Sequence, residues 1–261
     1  MSNTLQLSLK KFLATSIIST AILAGPLGMI TVNAQTNSIN PQTVQIEQSV
    51  MLKLKTQGDT EINKRLVSLK DTSTKITNAK KLTSAQKSTF TNNINTEINN
   101  LTTLQSKIDN DSDLTTLKND VKSVVVSFRV YALYLPQTRI IVSSDDILYV
   151  NSELTTIANK LNVLIQKYQV QGKDVSSLTT AYNDMLAKVS DSTVQANKAL
   201  NTVTPLNPAG YPGNITQLTQ AKADVKTGVS DLKAARADIK TIVTGLKELK
   251  ATTIPSSFPT N

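Results

Sequence analysis

The chain has 261 residues, and neither His nor Cys is among them. That removes imidazole acid–base catalysis, thiol nucleophiles and His/Cys ligation of zinc or haem. The side chains left to do chemistry are carboxylates, lysines, a few arginines and tyrosines. Asp145 and Asp146 are the most suggestive acids. Neighbouring residues on a helix point different ways, so they make a poor general acid–base pair. At a helix start they suit capping and the positive end of the dipole. Asp109, Asp111 and Asp113 have the spacing of the first ligands in a calcium loop, which wants Gly at its sixth position and an acid at its twelfth. Leu114 stands at the sixth position, and only Asp120 at the twelfth. Turn and cap is the reading of these three acids. No glycine-rich phosphate loop is present. No catalytic residue, cofactor or metal is assigned.

Arginine is more informative. Against 24 Lys there are four Arg: Arg65, Arg129, Arg139 and Arg236. Arg129 lies inside the most apolar segment of the chain, and a buried guanidinium must be paired. The expectation is a structural ion pair of Arg129 or Arg139 with Asp145, Asp146 or another acid such as Glu61. Phe128, Tyr131, Tyr134 and Tyr149 crowd the same region. Phe128 and Tyr131 fall in core phase. Tyr134 is off phase and is the candidate contact, placed to line a groove or touch a partner. Stacking on nucleic acid needs aromatics interleaved with basic residues; the lysines here are spread along the chain, so no nucleic-acid partner is expected.

The element that positions these residues is Leu114–Leu135. Its apolar residues recur at steps of three and four, the spacing of packed helices. Val125, Val126, Val130, Ala132 and Leu133 add a second apolar face, which predicts a central helix buried on several sides. Pro136 should end it, Gln137–Val142 should be a link, and Ser143 with Asp146 reads as a capping box opening the next helix.

Other helices are predicted over 42–78, with a kink or interruption at Gly58, and from a cap at Thr83 or Ser84. Two more end at Gly172 and at Pro205, and the last runs over about 215–250. The last contains a literal seven-residue repeat, DVKTGVS, DLKAARA, DIKTIVT, GLKELKA. Val225, Leu232, Ile239 and Leu246 make one core column; Gly228, Ala235, Ile242 and Leu249 make the other. Lys226, Lys233, Lys240 and Lys247 share one solvent-facing position. Seven-residue spacing implies a left-handed supercoil. The fold class is all-α: an elongated antiparallel bundle of coiled-coil-like hairpins, about six helices, forming one domain over residues 42–250.

Residues 1–34 carry Lys10 and Lys11, an apolar run from Phe12 to about Ile30, and Val32-Asn33-Ala34. This is the pattern of a signal peptide cut after Ala34. An uncleaved anchor is the alternative, weakened by Gly25 and Pro26. Residues 35–41 and 251–261 are expected to be flexible. The formal net charge is +9. The basic balance suits an anionic partner or simply a soluble, self-repelling surface.

The segments EINKRL (61–66), DLTTLKNDV (113–121), FRVYALYLPQTRIIVSSDDI (128–147), GKDVSSL (172–178), GYPGN (210–214) and DLKAARADIKTIVTGLK (231–247) together resemble a family of secreted, helix-rich, uncharacterised bacterial proteins. The resemblance spans nearly all of the chain after residue 34. It implies the helical fold and an extracytoplasmic address, and no catalytic function. The family pattern often has a basic residue after the proline; here Gln137 stands there.

Two functional expectations follow. The first is an exported, non-enzymatic helical module of the cell envelope or secreted fraction. It would act by binding or spacing, with a cell-wall polymer or another envelope protein as partner and no membrane span after signal cleavage. The second is a carrier or sensor for an apolar ligand or membrane surface, hinged at Gly58, Pro136 and Gly172. A filled core favours the first; a continuous apolar pocket beside Tyr134 favours the second.

Overall fold

The computed structural model describes residues 41–251. The predicted signal peptide, the cut after Ala34, most of the N-terminal linker and all but the first residue of the C-terminal tail lie outside them. The described residues form six α-helices and no strand: α1 (Pro41–Thr77), α2 (Ser84–Asn110), α3 (Leu114–Val126), α4 (Leu135–Val170), α5 (Ser176–Val203) and α6 (Asn214–Ala251). A π turn (Val130–Tyr134) precedes α4, and a 3-10 turn (Pro208–Gly210) lies between α5 and α6. The chain is an all-α helical bundle. No helix among the described residues is long and apolar enough to cross a membrane.

Local chemistry sets most helix ends. Thr83 accepts the Gln86 N–H, and the Gln86 side chain accepts the Thr83 N–H, a reciprocal capping box. Asp113 Oδ2 accepts the Thr116 N–H at 2.6 Å and opens α3. After α4 the chain turns at Gly172, whose φ of +72° is costly for a residue with a Cβ. α1 is not interrupted at Gly58. A Cβ there would come within 3.2 Å of both Ile108 and Val121, so this glycine lets α2 and α3 approach.

The central segment differs from the prediction. The helix does not run from Leu114 to Leu135 and stop at Pro136. It ends at Val126, the chain passes through Arg129 at φ +48° and ψ +27°, and a π turn leads into α4. Pro136 sits in the first turn of α4, where a missing N–H breaks no helical bond. Residues 137–142, predicted as a link, are helical, and Ser143 and Asp146 lie inside α4 instead of capping it. The break also resets the helical phase. Val130, Leu133 and Tyr134 turn inward, while Val125, Val126 and Tyr131 are 42%, 44% and 40% exposed. The segment is therefore not buried on all sides.

Two apolar cores result. The first joins Ile62, Leu69 and Ile76 of α1 to α2, α3, the π turn, the start of α4 and the α5–α6 end. The second is formed by α4, α5 and α6 alone, through residues such as Ile147, Leu161, Met185, Leu232 and Ile242. In α6 both predicted columns face inward and all four repeat lysines are exposed. At Gly228 an added Cβ would lie 3.3 Å from Ile147 Cδ1 and from the Ser192 carbonyl oxygen, so α5 packs against bare backbone. Ser192 Oγ donates to Asn151 Oδ1 at 2.9 Å, and Asn151 Nδ2 donates to Thr193 Oγ1 at 2.8 Å. This buried polar cluster fixes the register of α4 against α5, because any shift would leave its groups unpaired.

Candidate functional site

The predicted site residues are spread from the residue before the π turn through the first turns of α4, and the structure does not bring them to one point. Their pairing differs from the expectation. Asp145 is buried and binds no arginine: it accepts the backbone N–H groups of Lys80, Lys81 and Leu82 at 2.7, 2.5 and 2.8 Å. One carboxylate thus satisfies three donors of a tight loop. Asp146, next along, is exposed. Desolvation, then the adjacent Asp145 carboxylate, pushes its acidity toward higher pH. The two acids do not converge on a common point.

Arg129 is half-buried and lies over the Tyr211 ring, 4.2 Å from its centre, in place of an ion pair. Its left-handed backbone is sparsely populated by residues other than Gly, Asn and Asp, and the Tyr211 contact helps hold it. Arg139 is exposed on α4 and meets no carboxylate among the described residues. The buried, paired arginine is Arg65. Its Nη1 donates to Glu61 Oε2 at 2.7 Å and to the Glu61 carbonyl oxygen at 2.9 Å, and its guanidinium stands 4.9 Å from the Tyr131 ring centre. Arg65 pulls the Glu61 carboxyl below its ordinary range.

Tyr134 is buried, not a rim contact. It lines a cavity of about 10 Å³ with Phe90, Asn93, Gln137 and Thr138 among others, room for one water molecule at most. Burial, then the Glu97 carboxyl, pushes the Tyr134 hydroxyl to ionise at higher pH. Glu97 itself is buried, its Oε1 has no hydrogen-bond partner among the described residues, and desolvation raises its pKa to about 7. Gln137, directly after Pro136, turns inward: its Nε2 donates to the Val203 carbonyl at 2.6 Å and closes the C-terminal end of α5.

The acids of the calcium-loop spacing do not converge on one point. Asp113 caps α3, the Asp109 carbonyl accepts from Lys55 Nζ at 2.7 Å, and Asp111 lies beside Asp120, which is paired with Lys107. Among the described residues no group of three or more His, Cys, Asp or Glu is placed to hold a metal ion.

Sequence reasoning missed Glu97, Arg65 and the inward turn of Gln137. A signal existed for the first two. Ile94 to Leu101 and Ile62 to Leu69 are each one full heptad, and the third residue of each step, Glu97 and Arg65, fills the slot that an apolar residue would normally take.

Compared with protein-family models, curated proteins and solved structures, the chain matches none.

Proposed function

We propose that this protein is an exported, non-enzymatic helical module of the cell envelope or secreted fraction, acting by binding or spacing. The observation that carries the reading is the α4–α5–α6 coil. Helices of 36, 28 and 38 residues lie side by side around one apolar core, and the register of the first two is fixed by the Asn151–Ser192–Thr193 cluster. At 1.5 Å per residue the longer two extend about 55 Å. Such a coil sets a distance and offers a long surface. The most suggestive acid, Asp145, is committed to three loop amides, and the cavity beside Tyr134 is far below the roughly 300 Å³ of a small-molecule pocket. The first point disfavours carboxylate chemistry and the second the carrier reading, as does the unbroken run of α1 through Gly58.

The export part of the proposal rests on the Lys10-Lys11, apolar-run, Val32-Asn33-Ala34 pattern and on the resemblance to secreted helix-rich bacterial proteins. Fractionation of the native host, with N-terminal sequencing and pull-down of the recovered protein, tests it. A chain beginning at Gln35 in the envelope or medium is the expected result. An uncut chain in the cytoplasm overturns it.

A further inference from the structure

All basic residues of α6 lie on one flank. Lys226, Lys233, Lys240 and Lys247 repeat every seven residues, and Lys222, Arg236 and Lys250 stand one position further round the same side; all are exposed. One acid of α6, the exposed Glu248, follows Lys247. The aspartates separate from the cations: Asp224, Asp231 and Asp238 repeat at a different heptad position, on the flank facing α5. There Lys198 Nζ meets Asp224 Oδ1 at 2.9 Å and Lys188 Nζ meets Asp238 Oδ2 at 3.6 Å. Two of these three aspartates thus have a cation partner within the fold, while Asp231 lies near Asp191. On the basic flank none of the cations has an ion-pair partner among the described residues. Lys222 with Lys226, Arg236 with Lys240, and Lys247 with Lys250 are like-charge neighbours at three- or four-residue spacing, an arrangement that opposes helix formation. From Lys222 to Lys250 the stripe spans about 42 Å.

We propose that this stripe docks a linear anionic polymer of the cell envelope lying along α6, a proposal that rests on the exported-module reading above. The chemistry selects that class of partner. Lysine ammoniums are point charges without a fixed fork, so they suit negative charge distributed along a chain better than one shaped ligand. α6 contains no aromatic residue, so base stacking is unsupported. Between the cations the exposed apolar surface is limited to Val229, 38% exposed, too little to wedge into a bilayer.

The test measures binding of the full chain to fluorescent linear polyphosphate across a salt series. One variant carries Lys226→Gln, Lys233→Gln, Lys240→Gln and Lys247→Gln. A control of equal net charge carries Lys53→Gln, Lys70→Gln, Lys118→Gln and Lys122→Gln. Circular dichroism verifies that both remain helical. The stripe variant should bind about tenfold more weakly or worse and lose most of the salt dependence, by about 0.7 in log–log slope per engaged lysine; the control should change less than about twofold. Equal losses in both variants, no binding by the parent chain, or tighter binding to phosphatidylglycerol vesicles than to the polymer overturns the stripe. Those outcomes leave an exported module acting through another face. Recovery in the cytoplasm overturns the export reading whatever the polymer assay shows.

Discussion

Asp145, in the third turn of α4, accepts the N–H of Leu82 at 2.8 Å, and by that bond and its two neighbours ties the α1–α2 loop to the start of the α4–α5–α6 coil. Asp145→Ala would strand the buried donors, at a cost of about 3 kcal/mol or more. Asp145→Asn retains one acceptor oxygen but opposes an NH2 group to the Lys80 N–H, and should fall between the two. Asp146→Asn should stay within about 0.5 kcal/mol of the parent, as exposed substitutions do. Urea denaturation of the three variants checks the order; an Asp146 effect as large as the Asp145 effect would contradict the geometry.

The two arginines should separate in the same assay. Arg65→Met breaks a buried pair with Glu61 and a contact with Tyr131, and should cost about 2 kcal/mol. Arg129→Met loses only the half-buried contact with Tyr211 and should cost about 0.5–1 kcal/mol. Arg129→Gly loses the same contact but relieves the left-handed backbone, so it should be no worse than Arg129→Met. A larger loss with Gly than with Met would show that φ +48° is not a strained state for Arg129.

The α6 repeat was fully legible because its heptads are literal. Both core columns and the lysine face lie where seven-residue spacing puts them, and Thr83, Asp113 and Gly172 act at helix ends as their chemistry dictates. The central junction was not legible. Two phases compete between Phe128 and Leu135, and spacing alone reads the stretch as one helix. The choice is made by tertiary contacts: Tyr211 over Arg129, and Val130, Leu133 and Tyr134 filling the first core. Pro136 misled for a related reason, since proline ends a helix or begins one with equal local logic. The arginine prediction recognised that a buried guanidinium needs a partner. It placed that guanidinium in the greasiest segment, whereas Arg65 is buried in a helix of mixed character.

Gly228 tests how closely α5 and α6 are packed. Gly→Ala in a helix normally adds up to about 1 kcal/mol of stability. Here the new methyl would sit 3.3 Å from the Ser192 carbonyl oxygen, a backbone atom held by its own helix, so the gain should vanish. Gly228→Val should cost about 2–3 kcal/mol by overpacking. Thermal melting of both variants decides. A Val variant as stable as the parent would mean that the helices separate freely at this level.

Glu97 should make stability depend on pH in a direction opposite to that of a salt-bridged acid. Its folded-state pKa is raised to about 7 from an ordinary 4.5, by desolvation. Below pH 4.5 the carboxyl is protonated in both folded and unfolded chains and costs nothing. Between 4.5 and 7 the unfolded chain releases the proton while the folded chain keeps it, so stability falls as pH rises. Above about 7 the folded chain holds an unpaired buried carboxylate and the loss is complete, on the order of 3 kcal/mol. Glu97→Gln is neutral throughout and should abolish this decline, gaining on the parent steadily from pH 5 to pH 8. Tyr134→Phe, which removes the neighbouring hydroxyl, should leave the slope in place. Urea midpoints across that range read the effect directly. A Glu97→Gln difference that stays constant with pH would mean that the carboxyl reaches solvent or a partner that keeps it charged.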